Sequence, residues 1–157
     1  MDIEQLYREH YHIVYGYLLS LSGDRTLAED LASETFERGI RHIGSFREGR
    51  ITTWLCAIGR NLYLDERRRR KRFVPLEDAV EVFAPSVEET VENKEQARRV
   101  IRIAQQLPEP KRTLFFMRVR GIGFREIAEA VDKTENWCRV NWYRIRQDII
   151  RELEGTI

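Results

Sequence analysis

The chain has 157 residues, is 42% hydrophobic and carries a formal net charge of +1, which suits one ordinary domain or two small ones. Cys56 and Cys138 each stand alone in an apolar helical pattern, which argues for buried thiols in a reducing compartment and against a disulfide framework or a metal cluster. No apolar run approaches the roughly 20 residues of a membrane span and the acid-bearing N-terminus is unlike a signal peptide, so a cytoplasmic protein is expected.

Residues 2–22 read as a helix capped by Asp2, with Ile3, Leu6, Val14, Leu18 and Leu21 as its apolar positions. His10 and His12 are two apart and so lie on different faces. They read as surface histidines, not as a shared metal site. Gly23 ends this helix and Asp24 caps a second one that runs to about Ile43. Leu27, Leu31, Phe36, Ile40 and Ile43 supply its apolar side. Asp30, Ser33, Glu34 and Glu37 form a contiguous polar stripe at i, i+3, i+4, i+7. A solvated helix face has the same pattern, so the stripe alone assigns no role.

Gly44 to Arg50 is a short loop that presents one aromatic residue, Phe46. Thr52 or Thr53 is expected to cap a third helix reaching Arg72, whose apolar side is Trp54, Leu55, Ile58 and Leu62. Arg60, Asn61 and the run Arg67, Arg68, Arg69, Arg70, Lys71 and Arg72 point elsewhere. Residues 60–72 hold seven Arg/Lys against two acids, whereas 77–92 hold six acids and no base. The near-neutral total therefore hides a basic block beside an acidic one. Cations gathered at one end of an amphipathic helix make an electrostatic footprint for a polyanion, and arginine suits phosphate forks.

Residues 73–93 carry two prolines, the acidic cluster and no sustained period. They read as a flexible linker with at most a short helical turn, its acids available to the basic end of the third helix. A helix from about Asn93 to Gln106 follows, ended by Leu107-Pro108. After Pro110 comes another, TLFFMRVR, closed by Gly121-Ile122-Gly123.

In the last stretch Phe124, Ile127, Ala128 and Val131 recur at helical spacing before Asp132-Lys133-Thr134 interrupts with turn and cap chemistry. A second amphipathic run follows, which is the pattern of a helix-turn-helix, with small Ala128 at the helix crossing and Asp132 where a glycine is usual. On the second helix Cys138, Trp142, Ile145 and Ile149 should face inward. Asn136, Arg139, Val140 and Tyr143 fall opposite, near the N-terminus, where such helices touch base edges. Arg144 and Arg146 flank them and can reach phosphates. Strand patterning is nearly absent, and the expected fold class is all-α: two small helical domains joined by an acidic flexible linker.

Three blocks in order, AEDLASETFERG, TWLCAIGRNLYLDERRRRKR and LPEPKRTLFFMRVRGIGFREIAEAV with YRIR, resemble bacterial extracytoplasmic-function sigma factors. The resemblance covers nearly the whole chain outside the linker. It implies a region-2 domain at 1–72, a linker at 73–93 and a region-4 domain at 94–157. It further implies a protein that binds RNA polymerase core and directs promoter-specific initiation in a stress or envelope response. Region two would read and melt the minus-ten element of promoter DNA, and region four would read the minus-thirty-five element.

Ala28, Glu29, Asp30, Leu31, Glu34 and Phe36 match the family's second-helix pattern, so the resemblance makes Asp30, Ser33, Glu34 and Glu37 the core-docking face; Ser33 stands where the family often has Gln. Trp54, Leu55, Ile58, Arg60, Asn61, Asp65 and Arg68 match the third-helix pattern, with Gly59 for the usual Ala. Melting a duplex needs a pocket for an extruded base and a cationic track for the strand. Phe46 and Asn61 are the pocket candidates, and Arg60 with Arg67, Arg68, Arg69 and Arg70 the track. The recognition helix departs from the common pattern at Trp137, Cys138, Val140, Asn141 and Trp142, so its base preference does not carry over. The resemblance also implies an anti-sigma factor as partner, often a membrane-anchored one, and no cofactor, metal or small-molecule substrate.

A conventional helix-turn-helix repressor or activator would explain the C-terminal motif alone and would normally dimerise on a palindrome. A nuclease would need convergent carboxylates or a His/Cys site, and the acids of the second helix line a face with no such ligand beside them.

Overall fold

The computed structural model describes residues 2–46, 50–70 and 76–155, with nothing described of the Arg70 side chain. Lys71, Arg72 and residues 73–75 of the expected basic run and linker, and residues 47–49 of the Phe46 loop, lie outside the described residues. Every regular element described is helical.

Helix α1 spans Ile3–Ser22, capped by the Asp2 carboxylate, which accepts from Gln5 N–H, and ended by Gly23 in the left-handed region at φ 63. Helix α2 spans Arg25–Arg41, with Asp24 accepting from Leu27 N–H. A 3-10 turn over Ile43–Ser45 leads to α3, Ile51–Arg70. These three helices pack pairwise around Val14, Leu18, Leu31, Phe36 and Leu55. At the α2–α3 crossing a methyl on Gly39 would meet Leu55 Cδ1's geminal carbon, Cδ2, at 2.7 Å. The approach leaves room for hydrogen alone.

Neither threonine caps α3. The helix starts earlier, at Ile51, and both hydroxyls are used by other helices: Thr52 Oγ1 lies 2.8 Å from His10 Nδ1, and Thr53 donates to the Glu129 main-chain oxygen at 2.6 Å.

The expected flexible linker is largely a helix, α4, Leu76–Val87. Its acids mask an apolar stripe, since Ala79, Val80, Phe83 and Val87 are buried at the i, i+3, i+4 spacing that lets a helix find a core. Pro85 sits near its C-terminal end and is exposed; lacking an N–H, it forgoes the helical bond to the Glu81 carbonyl. Helix α5, Lys94–Gln105, is capped by Asn93 and pairs with α4. Glu77 of α4 is bonded to Arg98 of α5, so this acid serves its neighbour rather than the basic end of α3.

Helices α6, Lys111–Val119, α7, Phe124–Val131, and α8, Glu135–Gly155, complete the chain. Phe116 of α6 packs against Phe83 of α4 with ring centroids 4.6 Å apart and planes tilted by 42°. The two halves are not held apart: α1 packs on α6 and α7, and α3 packs on α7. No helix among the described residues is long and apolar enough to cross a membrane.

Candidate functional site

Three exposed faces collect the residues singled out in the sequence. The first is on α2, where Asp30, Ser33, Glu34 and Glu37 are all exposed while Leu31, Thr35 and Phe36 between them are buried. The stripe is thus an outer face of the three-helix core. Glu34 pairs with Arg38 at 3.1 Å and Glu37 with Arg41 at 2.8 Å, both one helical turn apart. Such exposed pairs contribute little to stability, so exchanging them for an external partner costs little.

The second face runs along α3. Arg60, Asn61, Asp65, Arg68 and Arg69 are exposed and Arg67 is half-buried. Asp65 is bonded to Arg68, and Glu66 to Arg69 at 3.1 Å, so local acids partly hold two of the cations until a polyanion competes. Arg67 sits near Tyr63, whose hydroxyl burial pushes above the usual range and whose neighbouring cations pull back. Phe46 differs from the expectation of an exposed aromatic. It is half-buried with its ring 5.5 Å from that of Trp54 at an interplanar angle of 52°. Such a ring pair is worth about 0.5–1.5 kcal/mol beyond the area it buries, which favours the half-buried position. Asn61 follows Trp54 by seven residues on α3, the spacing of one helix face, although no contact joins Asn61 to Phe46 among those described.

The third face belongs to α8. Asp132 takes the left-handed conformation, φ 57 and ψ 50, as the C-cap of α7, which is the role expected of it in place of a glycine. Thr134 Oγ1 accepts from Trp137 N–H at 3.0 Å and starts α8. Cys138, Ile145 and Ile149 are buried as expected and Trp142 is half-buried, its ring 5.7 Å from Phe115. Asn141 is buried too, donating from Nδ2 to the Trp137 carbonyl at 2.9 Å. Asn136, Arg139, Val140, Tyr143, Arg144 and Arg146 are exposed, with Tyr143 at 64% and Val140 at 37%. Arg139 pairs with Glu135 at 2.6 Å and lies 5.8 Å from the Phe124 ring centroid, so its guanidinium is steered from both helices of the motif. Tyr143 and Val140 leave an apolar patch between cations, which suits a thymine methyl as well as a base edge.

Lys133 lies outside the stripe that helical spacing picks out on α8. Its ammonium lies 5.5 Å from the Trp137 ring centroid, at the N-terminus of α8, where a phosphate also meets free N–H groups. Its position just before the capping Thr134 was the available signal. Only one of the two histidines expected at the surface is fully there. His12 is exposed and lies 3.1 Å from Glu126 of α7, but the buried Nε2 of His10 has no hydrogen-bond partner, and burial holds its pKa below the ordinary value. Both thiols are buried; burial pushes Cys138 up to about 11 and Cys56 further, which leaves them poor nucleophiles.

Comparison with known proteins bears on all three faces. The Sigma-70 region 2 family matches residues 6–73, which takes in the first face and the second. The chain is 28% identical over 152 residues to the ECF RNA polymerase sigma factor SigM of Bacillus subtilis, covering 94% of this chain and 92% of SigM. It is also 28% identical over 156 residues to the ECF RNA polymerase sigma factor BldN of Streptomyces coelicolor, covering 95% of this chain but 59% of BldN. Among solved structures, the sigma factor RpoE of Bartonella quintana, determined in complex with the anti-sigma factor NepR, has a similar fold, with a TM-score of 0.56 at 18% identity over 98% of this chain and 97% of that one.

Proposed function

This chain belongs to the extracytoplasmic-function group of sigma-70 family sigma factors, and on that premise we propose how its faces divide the work of directing RNA polymerase to promoters. The stripe Asp30, Ser33, Glu34 and Glu37 docks on core polymerase. The α3 face reads and opens the minus-ten element, with Asn61 and the Phe46 ring receiving an extruded base. Arg60, Arg67, Arg68, Arg69 and Arg70 guide the single strand, and Asp65 orients Arg68. On α8, Asn136, Arg139, Val140 and Tyr143 read the minus-thirty-five element while Arg144, Arg146 and Lys133 hold phosphates. Residues 1–72 form the region-2 unit and 94–157 the region-4 unit, with α4 between them.

The protein acts without chemistry of its own: the polymerase makes the bonds, and this chain supplies position and strand separation. It works in the cytoplasm, on a stress- or envelope-type regulon, and is restrained by an anti-sigma factor, as its structural relative is bound by one.

The observation that carries this reading is the presence in one chain of a region-2 match over residues 6–73 and a helix-turn-helix whose outward face is exposed. A dimeric repressor has a use for the second feature only. Affinity purification of the chain from a bacterial lysate separates the two. The sigma reading expects stoichiometric polymerase core; a free dimer without core would refute it.

A further inference from the structure

We infer that the recess between α8, α6 and the turn joining α4 to α5 binds a single-chain amphiphile with an anionic head, an alkyl carboxylate, which draws Arg146 away from DNA. The cavity alone supports the binding; the effect on DNA rests on the reading of Arg146 as a phosphate contact.

Helix α8 has 21 residues and outruns α6, which has nine. Its last turns therefore face the end of α4 across a gap. The chain between α4 and α5 fills that gap poorly. Ser86 and Thr90 are short, and the Thr90 hydroxyl is folded back onto the Val87 carbonyl at 2.9 Å. A cavity of about 390 Å³ remains, where close-packed interiors leave few voids larger than a water molecule. Val87, Val100, Phe115 and Ile149 are its buried walls, with Trp142 and Leu153 half-buried beside them. Apolar concavities of roughly 300–1,000 Å³ with a few placed polar groups are what small ligands occupy.

The polar groups set the sign of the ligand. Three charged side chains reach the cavity, Glu89, Arg118 and Arg146. Arg118 gives one N–H to the Ile122 carbonyl at 3.1 Å and lies over the Phe124 ring at 4.0 Å, so most of its five donors are uncommitted. No acid among the described residues is bonded to Arg118 or Arg146. Glu89 is exposed on the turn after α4. The cavity thus joins an apolar trough to an excess of cation, which fits a carboxylate on an alkyl chain. Of its apolar side chains only Ile150, at 41%, is exposed. A free ligand can thread into such a recess, whereas a bilayer surface cannot.

Calorimetric titration of the full chain with sodium decanoate, kept below its micelle-forming concentration, tests the site. Decyltrimethylammonium supplies the same chain length with the opposite charge. One decanoate should bind per chain, and the cation at least about tenfold more weakly, because it meets like charge. Ile150→Asp gives Arg146 a carboxylate one helical turn away and should weaken decanoate at least about tenfold. Ile150→Lys removes the same apolar side chain and should keep decanoate binding within a few-fold. Both should unfold at the wild-type urea midpoint, since residue 150 is exposed. Equal affinity for the two amphiphiles, equal affinity of the two variants for decanoate, or binding to phosphatidylglycerol vesicles without binding to decanoate overturns the site. Saturating decanoate should also weaken the hold of the wild-type chain on a minus-thirty-five duplex severalfold. Decanoate bound at one site with duplex affinity unchanged would uphold the cavity, overturn the effect on DNA and take Arg146 off the phosphate contacts.

Discussion

The Thr53 hydroxyl donates a 2.6 Å hydrogen bond to the main-chain oxygen of Glu129, joining residues 76 apart in the sequence. Glu129 lies in the last turn of α7, where carbonyls have no partner within their own helix. Lys133 N–H already serves the Ala128 oxygen, so Thr53 of another helix completes the cap for Glu129. Thr53→Val should lower the unfolding free energy by about 0.5–1.5 kcal/mol, read as a lower urea midpoint. Thr53→Ser should recover most of the loss. Equal midpoints for wild type and Thr53→Val would mean that water serves the carbonyl as well.

A second consequence of the same contact region is pH dependence. Burial lowers the His10 pKa below its ordinary 6.5; Glu9 of α1 and Glu129 of α7 oppose that shift, and His12 adds to it. The folded state thus favours the neutral ring and binds fewer protons than the unfolded state below pH 6.5. Its contribution is fully present above that pH and is lost as pH falls through the folded pKa. Stability measured from pH 7.5 to 5 should decline, and His10→Gln should flatten the decline. A variant with the wild-type slope would assign the dependence to other groups.

For docking, Asp30→Arg combined with Glu34→Arg should abolish co-purification with polymerase core, a loss of at least about tenfold in affinity, by reversing two charges in a polar interface. Helicity and unfolding midpoint should change little, because both side chains are exposed and only the Glu34–Arg38 surface pair is disturbed. Wild-type yield of core with the double variant would move the docking face elsewhere.

Recognition divides into two kinds of contact. Asn136→Ala and Arg139→Ala should each cost about 1–3 kcal/mol on the specific duplex and far less on a scrambled one, as base-edge contacts do. Arg144→Ala and Arg146→Ala should weaken both duplexes alike and reduce the slope of log affinity against log salt by about one. A salt series on both duplexes with the full chain distinguishes them. Equal losses on both after Arg139→Ala would place Arg139 among the phosphate contacts.

Local chemistry was legible in the sequence where it was periodic or capped. Asp2 and Asp24 cap the helices they precede, and the inward stripe Cys138, Ile145 and Ile149 is buried. Helix α4 was not legible because three acids, Glu77, Asp78 and Glu81, and Pro85 break up the stripe that Ala79, Val80, Phe83 and Val87 bury, and three more acids follow it. The packing of one half on the other was illegible for a different reason. It depends on a missing methyl at Gly16 and on a hydroxyl meeting a main-chain oxygen, neither of which leaves a pattern along the chain. Phe46 shows the same limit, since its support by Trp54 comes from across a loop.

The most direct measurement is transcription by core polymerase and this chain on a linear duplex promoter and on the same promoter with a pre-melted minus-ten bubble. Core with the wild-type chain should start from one defined site on both templates, with thymines of the minus-ten element becoming reactive to permanganate on the duplex. Asn61 is exposed, so Asn61→Ala should leave fold and core binding intact, impair opening of the duplex and be partly rescued on the bubble, where the cost of unstacking is already met. If the chain adds no defined start to core polymerase on either template, the account of this protein as a promoter-opening subunit is contradicted.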